Sequence, residues 1–218
     1  VDAGGVTEDA VLDGLTITRG RADATSSPHN TGGGVRVAGG GVTLANTTVL
    51  ENYASSHGGG VYVETTGTLF VANSSFFAND AIWHGGGLYL DANAGSRSTA
   101  VNCVFTNNTA WRGGGLAVEG QVFAPGLEPV LVNLSASGNV AAGEGPGIHT
   151  NTTTFNPPGG APITIENSII WDGLTSFGGS DVAVEEQDFS TWLAPHPGGA
   201  EADRVPTTIV YSARDGIA

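Results

Sequence analysis

Two histidines and two tryptophans fall at equivalent places in this chain, in the dipeptides Ser56-His57, Trp83-His84 and Trp111-Arg112. Each dipeptide runs directly into three glycines. Imidazoles one repeat apart can ligate a metal, although Arg112 in the next repeat cannot. Rings interleaved with Tyr62, Tyr89 and Arg112 form the kind of platform on which sugar rings stack. The commoner alternative is structural, with these side chains closing a corner over bare glycine backbone. A second row is acidic: Glu64, Asp91 and Glu119. Stacked carboxylates repel, and bound Ca²⁺ relieves that, since its oxygen ligands suit carboxylates. Paired carboxylates also suit glycoside cleavage. Simple solvation of the row outweighs both.

Rows of this kind exist only if the chain repeats, and it does. Gly32-Gly33-Gly34, Gly58-Gly59-Gly60, Gly85-Gly86-Gly87 and Gly113-Gly114-Gly115 are followed by a degenerate Gly145-Pro146-Gly147. Their first glycines lie 26, 27, 28 and 32 residues apart. Such a period marks a solenoid, in which each unit buries its apolar face against its neighbours. After each triplet comes an alternating segment: Val35-Arg36-Val37-Ala38, Val61-Tyr62-Val63-Glu64, Leu88-Tyr89-Leu90-Asp91, Leu116-Ala117-Val118-Glu119 and Ile148-His149-Thr150-Asn151. Period-2 alternation is the mark of a half-buried strand. Its apolar members point inward, and Arg36, Tyr62, Tyr89, Ala117 and His149 point out.

A second segment in each unit carries two asparagine columns. The first is Asn46, Asn73, Asn102, Asn133 and Asn167, and the second is Asn52, Asn79, Asn108 and Asn139, with Gly14 and Gly20 at the matching places of a partial first repeat and Gly173 closing the second column. Asn and Gly share tolerance of positive φ. Both columns are therefore expected at left-handed turns, with stacked and buried side chains in a structural ladder. Most of the sequons at Asn46, Asn73, Asn107, Asn133 and Asn151 are by-products of the ladder, and they are poor evidence of glycosylation.

Three strands per coil, two Asn corners and a Gly corner define an all-β fold. It is a right-handed, single-stranded parallel β-helix of about six to seven coils. The coils occupy residues 1–172, and 173–218 hold an irregular insertion with a last incomplete coil or cap, in which Thr207–Tyr211 is expected as a strand. The insertion covers the end of the solenoid, or further coils or chains meet it there.

The 218 residues carry 21 acids against seven bases, all of them Arg, for a net charge of −14. That balance argues against nucleic acid, whose binding rests on neutralising phosphates. Cys103, the single cysteine, sits in an apolar run and is expected to be buried and inert. No apolar stretch reaches the roughly 20 residues of a membrane span. The missing Met and the start at Val1 point to a mature or trimmed chain.

The triplet followed by an aliphatic residue, with Phe-x-x-Asn at Phe76–Asn79 and Phe105–Asn108, resembles the polymorphic outer-membrane protein repeat of surface-exposed passengers. The larger chain is similar to secreted, cell-surface β-helix proteins of bacteria. The resemblance implies a fold and a secreted or cell-surface location, and transfers no catalytic residue. The function expected is a binding or structural module, glycan- or surface-adhesive and non-enzymatic, with no cofactor required. Its ligand row is Tyr62, Tyr89, Trp83, Trp111, His57, His84 and Arg112. The alternative is a polysaccharide lyase or glycoside hydrolase on an outer face of the helix.

Overall fold

A computed structural model describes residues 10–91, 97–120, 129–152, 163–171, 174–175, 207–210 and 213–214. Among them there is no helix, hence none long and apolar enough to cross a membrane. The first turn consists of β1 (Ala10–Asp13), β2 (Thr16–Thr18) and β3 (Arg21–Ala22). The second turn is β4 (Val35–Val37), β5 (Gly40–Ala45), β6 (Thr48–Leu50) and β7 (Tyr53–Ala54). The third is β8 (Val61–Val63), β9 (Gly67–Ala72), β10 (Ser75–Phe77) and β11 (Asp80–Ala81). The fourth is β12 (Leu88–Asp91), β13 (Thr99–Val101), β14 (Val104–Thr106) and β15 (Thr109–Arg112). The fifth is β16 (Leu116–Gly120), β17 (Val130–Val132), β18 (Ser135–Ser137) and β19 (Val140–Glu144). Then come β20 (Ile148–Thr152), β21 (Ile163–Glu166), β22 (Ile169–Trp171), β23 (Leu174–Thr175), β24 (Thr207–Val210) and β25 (Ala213–Arg214).

Each strand pairs in parallel with its counterpart one turn away, which gives four sheets rather than three strands per coil. The extra sheet arises because the short segment after the second corner, such as Tyr53–Ala54, also pairs. The glycine-triplet strands form the order β20-β16-β12-β8-β4. The other sheets are β1-β5-β9-β13-β17-β21-β24, β2-β6-β10-β14-β18-β22-β25 and β23-β19-β15-β11-β7-β3. The expected six to seven coils resolve into four complete turns, β4 to β19, with flanking strands that carry the two longest sheets to seven among the described residues. The insertion expected in 173–218 falls largely on 176–206, outside the described residues. Gly173 and Tyr211 lie outside them too.

Inward residues stack in columns. Val35, Val61, Leu88, Leu116 and Ile148 are fully buried in one, and Val49, Phe76, Phe105, Ala136 and Ile170 in another. The Phe76 and Phe105 rings stack 4.6 Å apart, 11° from parallel. Where Ala136 replaces a ring, Leu134 fills the neighbouring inward place that is Thr47, Ser74, Cys103 and Ser168 in other turns. A close-packed interior tolerates such a volume exchange within one turn better than a void. Burial pushes the Cys103 thiol up to about 11, so it stays protonated there.

The triplets are required by close approach. Their first glycines, Gly32, Gly58, Gly85 and Gly113, have φ between 62° and 69°. A Cβ on Gly33 would strike the carbonyl oxygens of Gly59 and Tyr53, and one on Gly59 those of Asp80 and Gly86. Third glycines face the asparagine amides: a Cβ on Gly34 would lie 3.0 Å from the Asn52 side chain.

The two asparagine columns differ from each other. Asn46, Asn73, Asn102, Asn133 and Asn167 do adopt φ near 50°, from 49° to 54°. They are exposed rather than buried, and their amides link Asn133 to Asn102 (2.9 Å) and Asn102 to Asn73 (3.1 Å). The second left-handed position is not Asn52, Asn79, Asn108 or Asn139 but the residue before each: Arg19, Glu51, Ala78, Asn107 and Gly138 across successive turns. The following asparagine then points inward and is buried. Asn52, Asn79 and Asn108 each donate from Nδ2 to Oδ1 of the next asparagine at 3.0 Å. That same oxygen accepts the donor's backbone N–H at 3.0–3.1 Å. The second amide hydrogen goes to Ile17, Val49, Phe76 and Phe105 carbonyls at 2.9–3.0 Å. Gly20 takes this place in the first turn, giving its N–H to Asn52 Oδ1 (2.8 Å).

Asn79→Ala strips partners from Asn52, Val49 and Asn108 in a dry interior, where each orphaned group costs about 1–3 kcal/mol. Asn73→Ala leaves its neighbours in water and costs only the left-handed backbone penalty, about 1 kcal/mol. Urea denaturation should therefore show at least about 3 kcal/mol lost in the first variant and about 1 in the second. Equal losses would contradict the assignment of the inner column as the one that holds the fold.

Candidate functional site

The outer face of the triplet sheet β4-β8-β12-β16-β20 carries the cluster. In register across it stand Arg36, Tyr62, Tyr89, Ala117 and His149, then Glu64, Asp91, Glu119 and Asn151. The Tyr62 and Tyr89 rings stack 5.3 Å apart and 10° from parallel. His57 meets Tyr89 edge-on at 4.8 Å and His84 at 5.0 Å. Members of this row point outward from the coil, yet not into water. Tyr89 is only 8% exposed, Ala117 fully buried and His149 4% exposed, because the corner residues fold over them.

The acidic row does not converge on a shared ligand. Arg36 Nη2 pairs with Glu64 Oε2 at 2.7 Å, and Thr65 Oγ1 donates to Asp91 Oδ2 at 2.8 Å. Glu119 lies between two imidazoles: His84 Nδ1 donates to its Oε2 at 2.8 Å, and His149 Nε2 stands 3.4 Å from its Oε1. The latter contact is too poor to count as a hydrogen bond, and both His149 nitrogens and Glu119 Oε1 are buried without one. Among the described residues no group of three or more His, Cys, Asp or Glu side chains is arranged to hold a metal ion.

Titration follows from this packing. Burial raises the Glu119 carboxyl, but the contacts to His149 and His84 outweigh it and bring the group from an ordinary 4.5 down to about 2. Burial pushes the Tyr62 hydroxyl up to about 12, helped by Asp91 and Glu64, and pushes Tyr89 up as well. Burial lowers His57, and the neighbouring His84 adds to that. A neutral His57 accepts from the adjacent hydroxyl, Ser56 Oγ to Nδ1 at 2.6 Å. This pair lacks an oxyanion hole in its own backbone. Gly58 N and Trp83 N are spent on the carbonyls of His84 and Ser56 at 3.0 and 2.9 Å.

Trp83 and Trp111 stand at the edge of this face, 52% and 40% exposed. His84 bridges to Arg112 on the next turn, and Arg112 registers with Glu144 after a bulge between Ala110 and Arg112. The Trp111 indole lies on Gly143: its Nε1 and Cε2 are 3.1 and 3.3 Å from where a Cβ there would be. Arg112 Nε and Glu144 Oε2 are 3.8 Å apart. The structure thus brings His57, His84, Tyr62 and Tyr89 together with Glu119 as one cluster and sets the tryptophans and Arg112 along its edge. It separates Glu64 and Asp91 by giving each its own partner. His149 and Ser56 join the site without being candidates in the sequence reading. The one available signal for His149 is its place in the row after Ala117, whose small side chain leaves room for a neighbour's ring.

Glu119 has a folded-state pKa below its unfolded one, so its stabilisation is full above pH 4.5 and disappears as pH falls toward about 2. Thermal or urea melts of the wild type should lose about 2–3 kcal/mol through that window that Glu119→Gln does not lose. Parallel pH profiles for the two proteins would refute the ionised, imidazole-held carboxylate.

No curated protein and no solved structure matches the chain. Residues 7–157 match a family described as a right-handed β-helix region, over the same stretch that builds β1 to β20. With parallel ladders turn upon turn and an inner asparagine column, the chain belongs to the right-handed β-helix family.

Proposed function

We propose that this β-helix is a non-enzymatic glycan-binding module of the secreted or cell-surface kind, whose ligand lies along the glycine-triplet corner. The observation that carries this reading is the pair of exposed indoles, Trp83 and Trp111, on successive turns. Indoles gathered on one edge, rather than scattered singly, are the kind of exposed aromatic surface that marks contact sites. Their flat faces suit the C–H faces of sugar rings. Arg112, which follows Trp111, and Glu144, which pairs with it at 3.8 Å, offer a donor and an acceptor for hydroxyls.

The same face supports catalysis less well. Glycoside cleavage needs one carboxyl held protonated as an acid, whereas Glu119 is drawn down to about 2. One observation favours a polysaccharide lyase or hydrolase as the second reading: the Glu119–His84 hydrogen bond orients an imidazole as a base would require.

On a panel of immobilised neutral, amino and acidic glycans, the wild type should bind at least one class. Trp83→Ala and Trp111→Ala should each weaken that binding at least about tenfold, with both variants still folded and Trp111→Ala the less stable because it loses the packing on Gly143. Binding that survives both substitutions would overturn the assignment of the corner. Turnover of any polysaccharide that Glu119→Gln abolishes would replace it with the second reading.

A further inference from the structure

We propose that two copies of this chain associate through the outer face of the sheet β1-β5-β9-β13-β17-β21-β24. Along β5, β9, β13 and β17 buried residues alternate with outward ones, and none of the outward ones is ionisable. The acids of this sheet stand near its two ends, Asp13 on β1 and Glu166 on β21. The same turns carry Asp91 and Glu119 on the triplet sheet, and Asp80, Arg112 and Glu144 on the sheet of β7, β11, β15 and β19. A chain of net charge −14 repels its own copy wherever such acids meet. The uncharged face is where two copies approach without that cost.

The relief of the face fits itself. One outward row runs in register through Val11, Thr43, Phe70, Thr99 and Val130, so each large apolar residue is followed by a threonine one turn on or one turn back. Val11 and Phe70 are 64% and 46% exposed. The row beside it is low: Ala45, Ala72, Val101 and Val132. A two-fold axis along the strands, between β9 and β13, sets two rods antiparallel. Phe70 of one copy then faces Thr99 of the other, and Thr43 faces Val130. Each large side chain meets a smaller one, as an isologous pair of packed sheets requires. Both copies share the same strand spacing of about 4.8 Å, so the match holds from turn to turn.

The size of the face sets the strength of the contact. Its seven strands are three to six residues long. At ordinary strand spacing and rise they cover about 450 Å². Roughly 900 Å² over two copies is the extent of a weak, concentration-dependent contact rather than an obligate one. The adjacent sheet is also uncharged along β6, β10, β14 and β18, and its Phe77 is 41% exposed, but those strands are only three residues long and give a narrower face. The same two-fold axis sets Asp13 of one copy against Glu166 of the other, so salt that screens this repulsion tightens the pair.

The test is sedimentation velocity on the full chain, from about 5 to about 500 µM, at low and at high salt. We expect a monomer–dimer equilibrium within that range, tighter at high salt. Phe70→Asp should weaken it at least about tenfold, and Thr99→Asp, which puts the charge on the other side of the same contact, should do so too. Phe77→Asp, the same change on the neighbouring sheet, should shift it less than about twofold, with the β circular dichroism of all three variants unchanged. A monomer at every concentration and salt overturns the proposal, as does a dimer that loosens with salt. So does association that Phe77→Asp weakens as much as Phe70→Asp and Thr99→Asp, or that neither of the latter two weakens. A monomer that sediments instead with microcrystalline cellulose, and loses this in Phe70→Asp, gives the face to a neutral surface and overturns the second copy.

Discussion

Every turn of this solenoid must give its backbone hydrogen bonds to the turns before and after it, and everything else follows from that exchange. Among the described residues no strand pairs with another of its own turn: the strands of each sheet come from different turns. The chain must therefore come back to the same place on the cross-section, in register and one strand spacing further along, about once every 26–32 residues. Glycine triplets allow this at the tightest corner, where carbonyl oxygens of adjacent turns crowd the places that side chains would fill. The buried asparagines allow it at the opposite corner by returning every amide atom to a partner. An interior polar group without such a partner is costly. Here the column closes the account across four turns.

That rigidity is what gives the outer face its order. Side chains one turn apart are set about 4.8 Å from each other, so Tyr62 and Tyr89 have little choice but to stack, and Glu119 little choice but to find the imidazoles of the turns on either side. Carboxylates that would repel in a bare row are separated by acquiring cations and donors from neighbouring turns. The face is thus a mosaic of local pairs, with its accessible aromatic surface pushed to the edge at Trp83 and Trp111.

The architecture was legible in the sequence because its signals are periodic. Triplets, alternating Val-Arg-Val or Leu-Tyr-Leu segments and asparagines all recur at one spacing, and each states a backbone requirement. The buried column was placed correctly, but its left-handed position was put one residue too late, for a physical reason. Positive φ at Arg19, Glu51 and Ala78 is imposed by the corner on residues with no preference for it, so composition points to the neighbouring asparagine instead. Asn79 is retained for its amide, while Ala78 makes the turn. The fourth sheet escaped notice because a two-residue strand such as Asp80–Ala81 has no period to read. The Glu119–His149 contact was not legible because it joins residues of adjacent turns through a space that Ala117 leaves open, and no local pattern records a hole.

The two asparagine columns donate in opposite senses. Along the buried column the amide-to-amide bonds run to the turn that follows, from Asn52 through to Asn139, while the second hydrogen goes back to a carbonyl of the preceding turn. Along the exposed one, Asn133 and Asn102 give theirs to the turn that precedes. The buried column cannot be reversed without turning its amide N–H groups to face the backbone N–H groups that its oxygens now accept from. The rod is consequently a directed object with unlike ends. A further coil, or the end of a second rod, could continue both columns only by arriving head to tail.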